Sequence, residues 1–203
     1  METVGDVTRM RLVGGDLALD FVNTRSGPPT GPPDDDLLAG YPELVAWSVY
    51  AGALTDAEAA HMRRRSPADP KTAVALARRI RDDLDEVFRA LATDRTPPTP
   101  ALDRLRDDEA EALGHARLEP GSPFRWTWRE DDTLARPVRP IVHAAVDLLT
   151  TGALNRIKAC GGCRFLFYDE SKNRSRRWCS MEDCGTDEKI RRYVATRRAR
   201  TTH

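Results

Sequence analysis

The chain has 203 residues, and its 32 Lys/Arg are balanced by 32 Asp/Glu, so the formal net charge is zero. That length holds one domain with a sizeable core, or one domain and a small appendage. No stretch approaches the ~20 apolar residues of a membrane-spanning helix, and no apolar leader stands at residues 1–19, so a cytoplasmic, reducing setting is expected. The zero sum hides an asymmetry: residues 155–200 hold thirteen Lys/Arg against six Asp/Glu, on an acidic remainder. A basic end on an acidic body is the distribution expected where one end meets a polyanion, though the solvated helices of an Arg-rich protein share it.

In chain order, residues 8–13 alternate weakly and suggest a short strand, with Gly14 and Gly15 turning the chain. Residues 17–24 fit a helix capped by Asp16, although Leu17, Leu19 and Phe21 also alternate as in a strand. Asp20 and Asn23 interrupt this apolar run, and such residues are expected to tie down neighbouring backbone rather than meet a ligand. Residues 26–36 (SGPPTGPPDDD) form an exposed loop. A helix is predicted over 41–53 with Trp47 in the core, then one over 56–65 that Thr55 and Glu58 open as a capping box. Pro70 opens the most amphipathic segment, 71–92. Its Val74, Ala77, Ile80, Leu84, Val87, Phe88 and Leu91 must face a core, with Arg78, Arg79, Asp82, Asp83 and Glu86 on a solvated face. After the break at 96–100 (TPPTP) comes a helix over 101–113. Residues 124–129 (FRWTWR) alternate strictly, so Phe124, Trp126 and Trp128 share one face; they are expected to form sheet-on-helix core, with 115–118 as hairpin partner. A last helix over 134–149 carries Val138, Ile141, Val142, Ala145 and Leu149 on one side, and His143 off that stripe is expected to pair with Asp147. With almost no linker after it, the C-terminal module is expected to dock on this helix.

All four cysteines lie in two close pairs near the C-terminus: Cys160 and Cys163 with two residues between them, then Cys179 and Cys184 with four. The fifteen residues between the pairs complete the spacing of a four-thiolate zinc site. Two disulfides, or four unrelated buried thiols, are the alternatives; a reducing setting and the clustering both speak against them. Four thiolates leave no open coordination position, so the Zn2+ is expected to be structural. Between the pairs, 164–168 reads as a strand, 169–175 as a polar turn and 176–178 as a returning strand. After Gly185, residues 186–198 read as a helix with Thr186 as cap and with Ile190 and Val194 as its anchors. Turn, hairpin and helix together make a treble-clef-like arrangement. Trp178 is expected under the zinc turn, and Phe165 and Phe167 against the preceding domain.

These residues also carry a resemblance. Arg177–Trp178–Cys179–Ser180–Met181 followed by Cys184–Gly185 resembles the CGNR zinc-finger family, and residues 12–24 (LVGGDLALDFVNT) resemble the opening of the ABATE domain that precedes that finger. Together the two cover nearly the whole chain. The resemblance implies a bacterial, stress-induced transcription regulator that binds DNA through the finger. Where the family has Asn-Arg after Cys-Gly, this chain has Thr186–Asp187.

The expected fold is therefore α+β: a mostly helical ABATE-like domain with a small β element over 1–152, serving ligand sensing or dimerisation, and the zinc finger over 153–203. If the finger meets DNA, the expected contacts are Lys172, Arg174, Arg176 and Arg177 on the hairpin and Lys189, Arg191, Arg192 and Arg198 on the helix. The expected partners are DNA, a second copy as homodimer, and a small-molecule effector in the N-terminal domain. The competing reading is a protein-interaction adaptor whose zinc only holds structure. No enzyme is expected: the four histidines lack metal spacing, Gly14–Gly15 is no phosphate loop, and no serine sits in a nucleophile elbow.

Overall fold

The computed structural model describes residues 6–64, 69–129, 131, 133 and 135–201, with the side chains of 192 and 198–201 excepted. Helix α1 (Leu17–Val22) is capped by Asp16, whose carboxylate accepts from the Ala18 amide. Strands β1 (Arg25–Ser26) and β2 (Asp35–Asp36) pair antiparallel and close the proline-rich loop at its base. Then come α2 (Tyr41–Tyr50), α3 (Asp56–Arg64), α4 (Pro70–Ala92) and α5 (Thr99–Gly114). The capping box at α3 forms in both directions: Thr55 N–H donates to Glu58 Oε2 at 2.7 Å and Glu58 N–H to Thr55 Oγ1 at 3.2 Å. The hairpin β3 (Ala116–Glu119) and β4 (Arg125–Trp128) precedes α6 (Arg139–Thr151). Strands β5 (Ile157–Ala159) and β6 (Leu166–Tyr168) form a third antiparallel pair, and α7 (Thr186–Thr201) ends the fold.

Helix α4 is the central element because its apolar stripe has somewhere to go on every side. Val74, Ala77, Ile80, Leu84, Val87 and Phe88 are buried, and α1, α2 and α5 pack round them with Trp47 wholly enclosed against Phe21. The opposite face does more than meet solvent. Asp83 is buried and takes the Arg104 guanidinium, while Arg79 forms a fork with Asp108 at 2.6 and 2.7 Å, so two ion pairs bind α4 to α5. Arg81, on the same helix, is buried and grips Asp36 at 2.7 and 2.6 Å, which fixes the base of the proline-rich loop.

Several expectations are corrected. Residues 8–13 form no strand: a 3-10 turn at Val7–Arg9 leads into extended chain without a partner strand. Helix α2 stops at Tyr50, because Gly52 turns the chain at φ +77. The aromatic face of β4 is not core, for Phe124 and Trp126 are exposed and two strands alone cannot cover it. His143 stands edge-on to Trp126 and Trp128 and pairs with Glu109 at 2.8 Å, not with Asp147. The first residue of the predicted 134–149 helix falls outside the described residues; α6 runs from Arg139. The C-terminal module docks on α1 and α4 rather than on α6.

Candidate metal centre and basic surface

Strands β5 and β6 hold the first cysteine pair between them. Cys160 closes β5, its N–H donating to the Phe165 carbonyl at 2.8 Å, and Cys163 sits in the tight turn that follows. The two glycines of that turn are required by space, not by dihedral angle. A Cβ on Gly161 would lie 2.7 Å from the Trp178 ring, and one on Gly162 would lie 2.9 Å from Cys184 Cβ. Trp178 therefore packs under the turn, as its sequence context suggested. The second pair approaches from the other side, where Gly161 N–H donates to the Arg177 carbonyl at 3.1 Å.

Here the returning strand expected over 176–178 does not form, since the chain passes Cys179 in an irregular bend. A π-helical turn, Met181–Gly185, carries Cys184 and runs directly into α7. Ser180 caps this turn, accepting from the Asp183 amide at 3.2 Å, so Thr186 is not the cap; its hydroxyl donates back to the Met181 carbonyl at 3.0 Å.

The four ligand sulfurs lie within 4.8 Å of one another, with Cys163 and Cys179 3.6 Å apart and Cys179 and Cys184 3.7 Å apart. Zn–S bonds of ~2.3 Å in a tetrahedron put sulfurs about 3.8 Å apart. The sulfurs fit that ion and are far too distant for disulfides, and all four cysteines are free. Amides of Gly162 and Cys179 donate to Cys160 Sγ at 3.4 and 3.3 Å, as they would to a metal thiolate. Four sulfurs this close cannot all ionise unaided. Donation from Cys163 and Cys179 drives the Cys160 thiol far down, while Cys163, donating to Cys160, is pushed up to about 12 and Cys179 is raised by both neighbours. A dication relieves that repulsion. The centre holds one structural zinc ion, with Cys160 and Cys179 buried and Cys163 and Cys184 half-buried.

What fixes the finger to the body is the outer edge of β6. Residues 165, 167 and 169 exchange hydrogen bonds with β5 and its flanks, which leaves the polar backbone of 164, 166 and 168 facing away. The N-terminal region supplies the partners. Arg164 N–H donates to Gly27 O at 3.1 Å, and Tyr168 N–H to Gly14 O at 2.7 Å. Between them, Asn23 accepts from Leu166 N–H and donates to Leu166 O, both at 2.8 Å, so one buried side chain imitates a neighbouring strand. Asp20 in turn accepts from Gly14 N–H at 2.7 Å, and burial pushes its carboxyl up to about 6. The reading of Asp20 and Asn23 as backbone ties holds, and their object is the zinc module.

Further residues bind the finger together without any sequence signal. Asp169 is fully buried; burial alone would raise its carboxyl, but Lys158 at 2.7 Å and the amides of Ser171 and Arg176 hold it well below the usual range. Arg11 reaches Glu182 at 2.6 Å and Asp183 at 3.2 Å, clamping the N-terminal segment to the second pair. Phe167 is buried against Cys160 and Cys179, and Phe165 lines a cavity of about 430 Å³ with Met10, Val13, Leu37, Cys163 and Cys184.

The basic residues divide. Arg176 turns inward: its guanidinium lies 4.5 Å from the Phe167 ring centre and bonds to the carbonyls of Trp178, at 2.9 Å, and Cys179. Lys172, Arg174 and Arg177 are exposed, with Arg177 stacked 5.4 Å over Trp178. On α7, Lys189 and Arg191 are exposed, while the side chains of Arg192 and Arg198 lie outside the described residues. Ile190 and Val194 do not anchor this helix, for both are exposed.

Among the described residues no helix is long and apolar enough to cross a membrane. No curated protein matches the sequence. Two family models do: residues 156–198 match the CGNR zinc finger, and residues 15–152 match ABATE, described as "Putative stress-induced transcription regulator". The first match ends on the far side of the zinc centre and the second begins at Gly15, beside the carbonyl that β6 uses. The chain belongs to the ABATE family and carries a CGNR zinc finger at its C-terminal end.

Proposed function

We propose that this protein is a DNA-binding transcription regulator whose zinc finger contacts the duplex. The observation that carries the reading is the exposed row Lys172, Arg174 and Arg177, which projects from the loop leading into the second cysteine pair and is joined by Lys189 and Arg191 on α7. Five exposed cations on the segments that flank the zinc centre are the residue types that neutralise duplex phosphates. The internal work of Arg176 supports the same reading, because it braces the loop from which the other three project. An effector would act from the cavity beside Cys163 and Cys184. It touches the N-terminal segment, the base of the proline-rich loop and the finger at once, so occupancy there bears on how the finger is held.

The test is charge reversal of Lys172, Arg174 and Arg177 to Glu in the zinc-loaded protein, read as affinity for duplex DNA. Loss of binding with zinc stoichiometry intact is the expected result. Unchanged affinity removes this surface from the DNA contact. No binding by the unaltered protein, even at low salt, leaves the adaptor reading, in which zinc serves structure alone.

A further inference from the structure

Helix α7 leaves the body of the protein, and among the described residues its one substantial packing partner is the turn before it. It nonetheless carries an apolar stripe. Ile190 is 56% exposed, Tyr193 64% and Val194 40%. These three stand at i, i+3 and i+4, so they share one side of the helix. The same helical spacing puts Asp187 three residues before Ile190 and Arg197 three residues after Val194 on that side. The stripe is therefore bounded by an acid at its N-terminal end and a base at its C-terminal end. Arg197 donates to the Tyr193 hydroxyl at 3.4 Å along this side. Solvent is a costly environment for such a stripe, and among the described residues nothing on the body packs over it.

We propose that this face of α7 is a homodimer seam, in which two copies of the chain pair their α7 helices antiparallel. A two-fold axis crossing the helix midway between Ile190 and Val194 sets Ile190 of one copy on Val194 of the other. The Tyr193 rings then lie close to the axis. The same operation places Asp187 of one copy across from Arg197 of the other, twice over. A surface that is acidic at one end and basic at the other complements itself only in this orientation; a parallel pair would set like charges together. A duplex laid on the stripe would instead meet the Asp187 carboxylate. The pairing leaves Lys172, Arg174 and Arg177 outside the seam. It does not depend on DNA binding.

The experiment is sedimentation velocity of the zinc-loaded full chain over a concentration series, with four variants. The unaltered protein is expected to pass from single-chain to two-chain mass as concentration rises. Asp187→Arg and Arg197→Asp should each weaken the dimer about tenfold or more, because each creates two like-charge contacts. An equimolar mixture of those two variants should recover the affinity of the unaltered protein, since both contacts are then opposite in sign. Ile190→Asp should abolish dimerisation, with helix content and zinc stoichiometry retained because the position is exposed. Single-chain mass at every concentration overturns the proposal, and so does a mixture no tighter than its components. Ile190→Ala that leaves the mass unchanged but lowers duplex affinity would overturn it too, assigning the stripe to DNA.

Discussion

Replacing Asn23 with Ala removes the side chain that completes the edge of β6. In the native chain Asn23 makes two hydrogen bonds of 2.8 Å, one to Leu166 N–H and one to Leu166 O, and Leu166 is wholly buried. Alanine leaves that donor and that acceptor in a site walled by α1 and α4. An unsatisfied buried backbone group costs ~1–3 kcal/mol, so the pair costs about 2–6 kcal/mol. The loss falls on the docking of the finger, since the zinc sulfurs do not touch Asn23. Hydrogen exchange at Leu166 reads it directly, with protection expected to fall by at least about thirtyfold, the equivalent of ~2 kcal/mol. Zinc loss to a chelator should accelerate in step, because the first cysteine pair is held between β5 and β6. Asn23→Asp should not rescue, for it keeps the acceptor but sets a charged oxygen against the Leu166 carbonyl. Unchanged protection at Leu166 in Asn23→Ala would refute the strand-mimic role and leave Gly14 and Gly27 as the partners of the β6 edge.

Two further outcomes follow from groups around the same centre. Asp20 has a carboxyl raised to about 6 by burial, against an ordinary value near 3.8. The folded state then binds a proton more tightly than the unfolded chain, so this stabilisation is complete below the unfolded value and is lost as pH rises through the folded one. Denaturant midpoints for Asp20→Asn should accordingly decline less between pH 4 and 6 than those of the unaltered protein, and the rise of the carboxyl limits the gap to about 3 kcal/mol. Identical slopes would mean that the carboxyl is not raised. Arg176→Lys should destabilise the finger by about 1.5–3 kcal/mol by losing charge-assisted bonds to Trp178 O and Cys179 O that an ammonium cannot fork. It should lower zinc retention while leaving the salt dependence of DNA binding alone, and an altered salt slope would return Arg176 to the DNA surface.

The zinc centre was almost entirely legible in the sequence, because metal ligation fixes residue type and spacing together: two close pairs and fifteen residues between them admit few other readings. The long amphipathic helix and the Thr55–Glu58 box were legible for a similar reason, since each is a local rule with a fixed period. What escaped was set by partners distant in the chain. The alternation of Phe124, Trp126 and Trp128 showed a strand, but not that its two-stranded sheet lacks a covering layer. Ile190 and Val194 looked like anchors because their spacing is helical, and spacing cannot say whether a helix has a neighbour. Arg176 and Arg177 are adjacent and identical in type; only the position of Phe167 turns one inward. The docking site of the finger escapes the sequence for the same reason. Proximity in sequence pointed to α6, whereas the free edge of β6 needed hydrogen-bond partners, and Gly14, Asn23 and Gly27 offered them.

In the proposed DNA contact the exposed cations of the finger neutralise phosphates. Its most direct test is the affinity of the zinc-loaded protein for random duplex DNA as a function of salt. With Lys172, Arg174, Arg177, Lys189 and Arg191 engaged, log K should fall against log salt with a slope of about −4.5, and charge reversal of the first three should bring that slope to about −1.8. A slope near zero, or no binding at low salt, would contradict the claim.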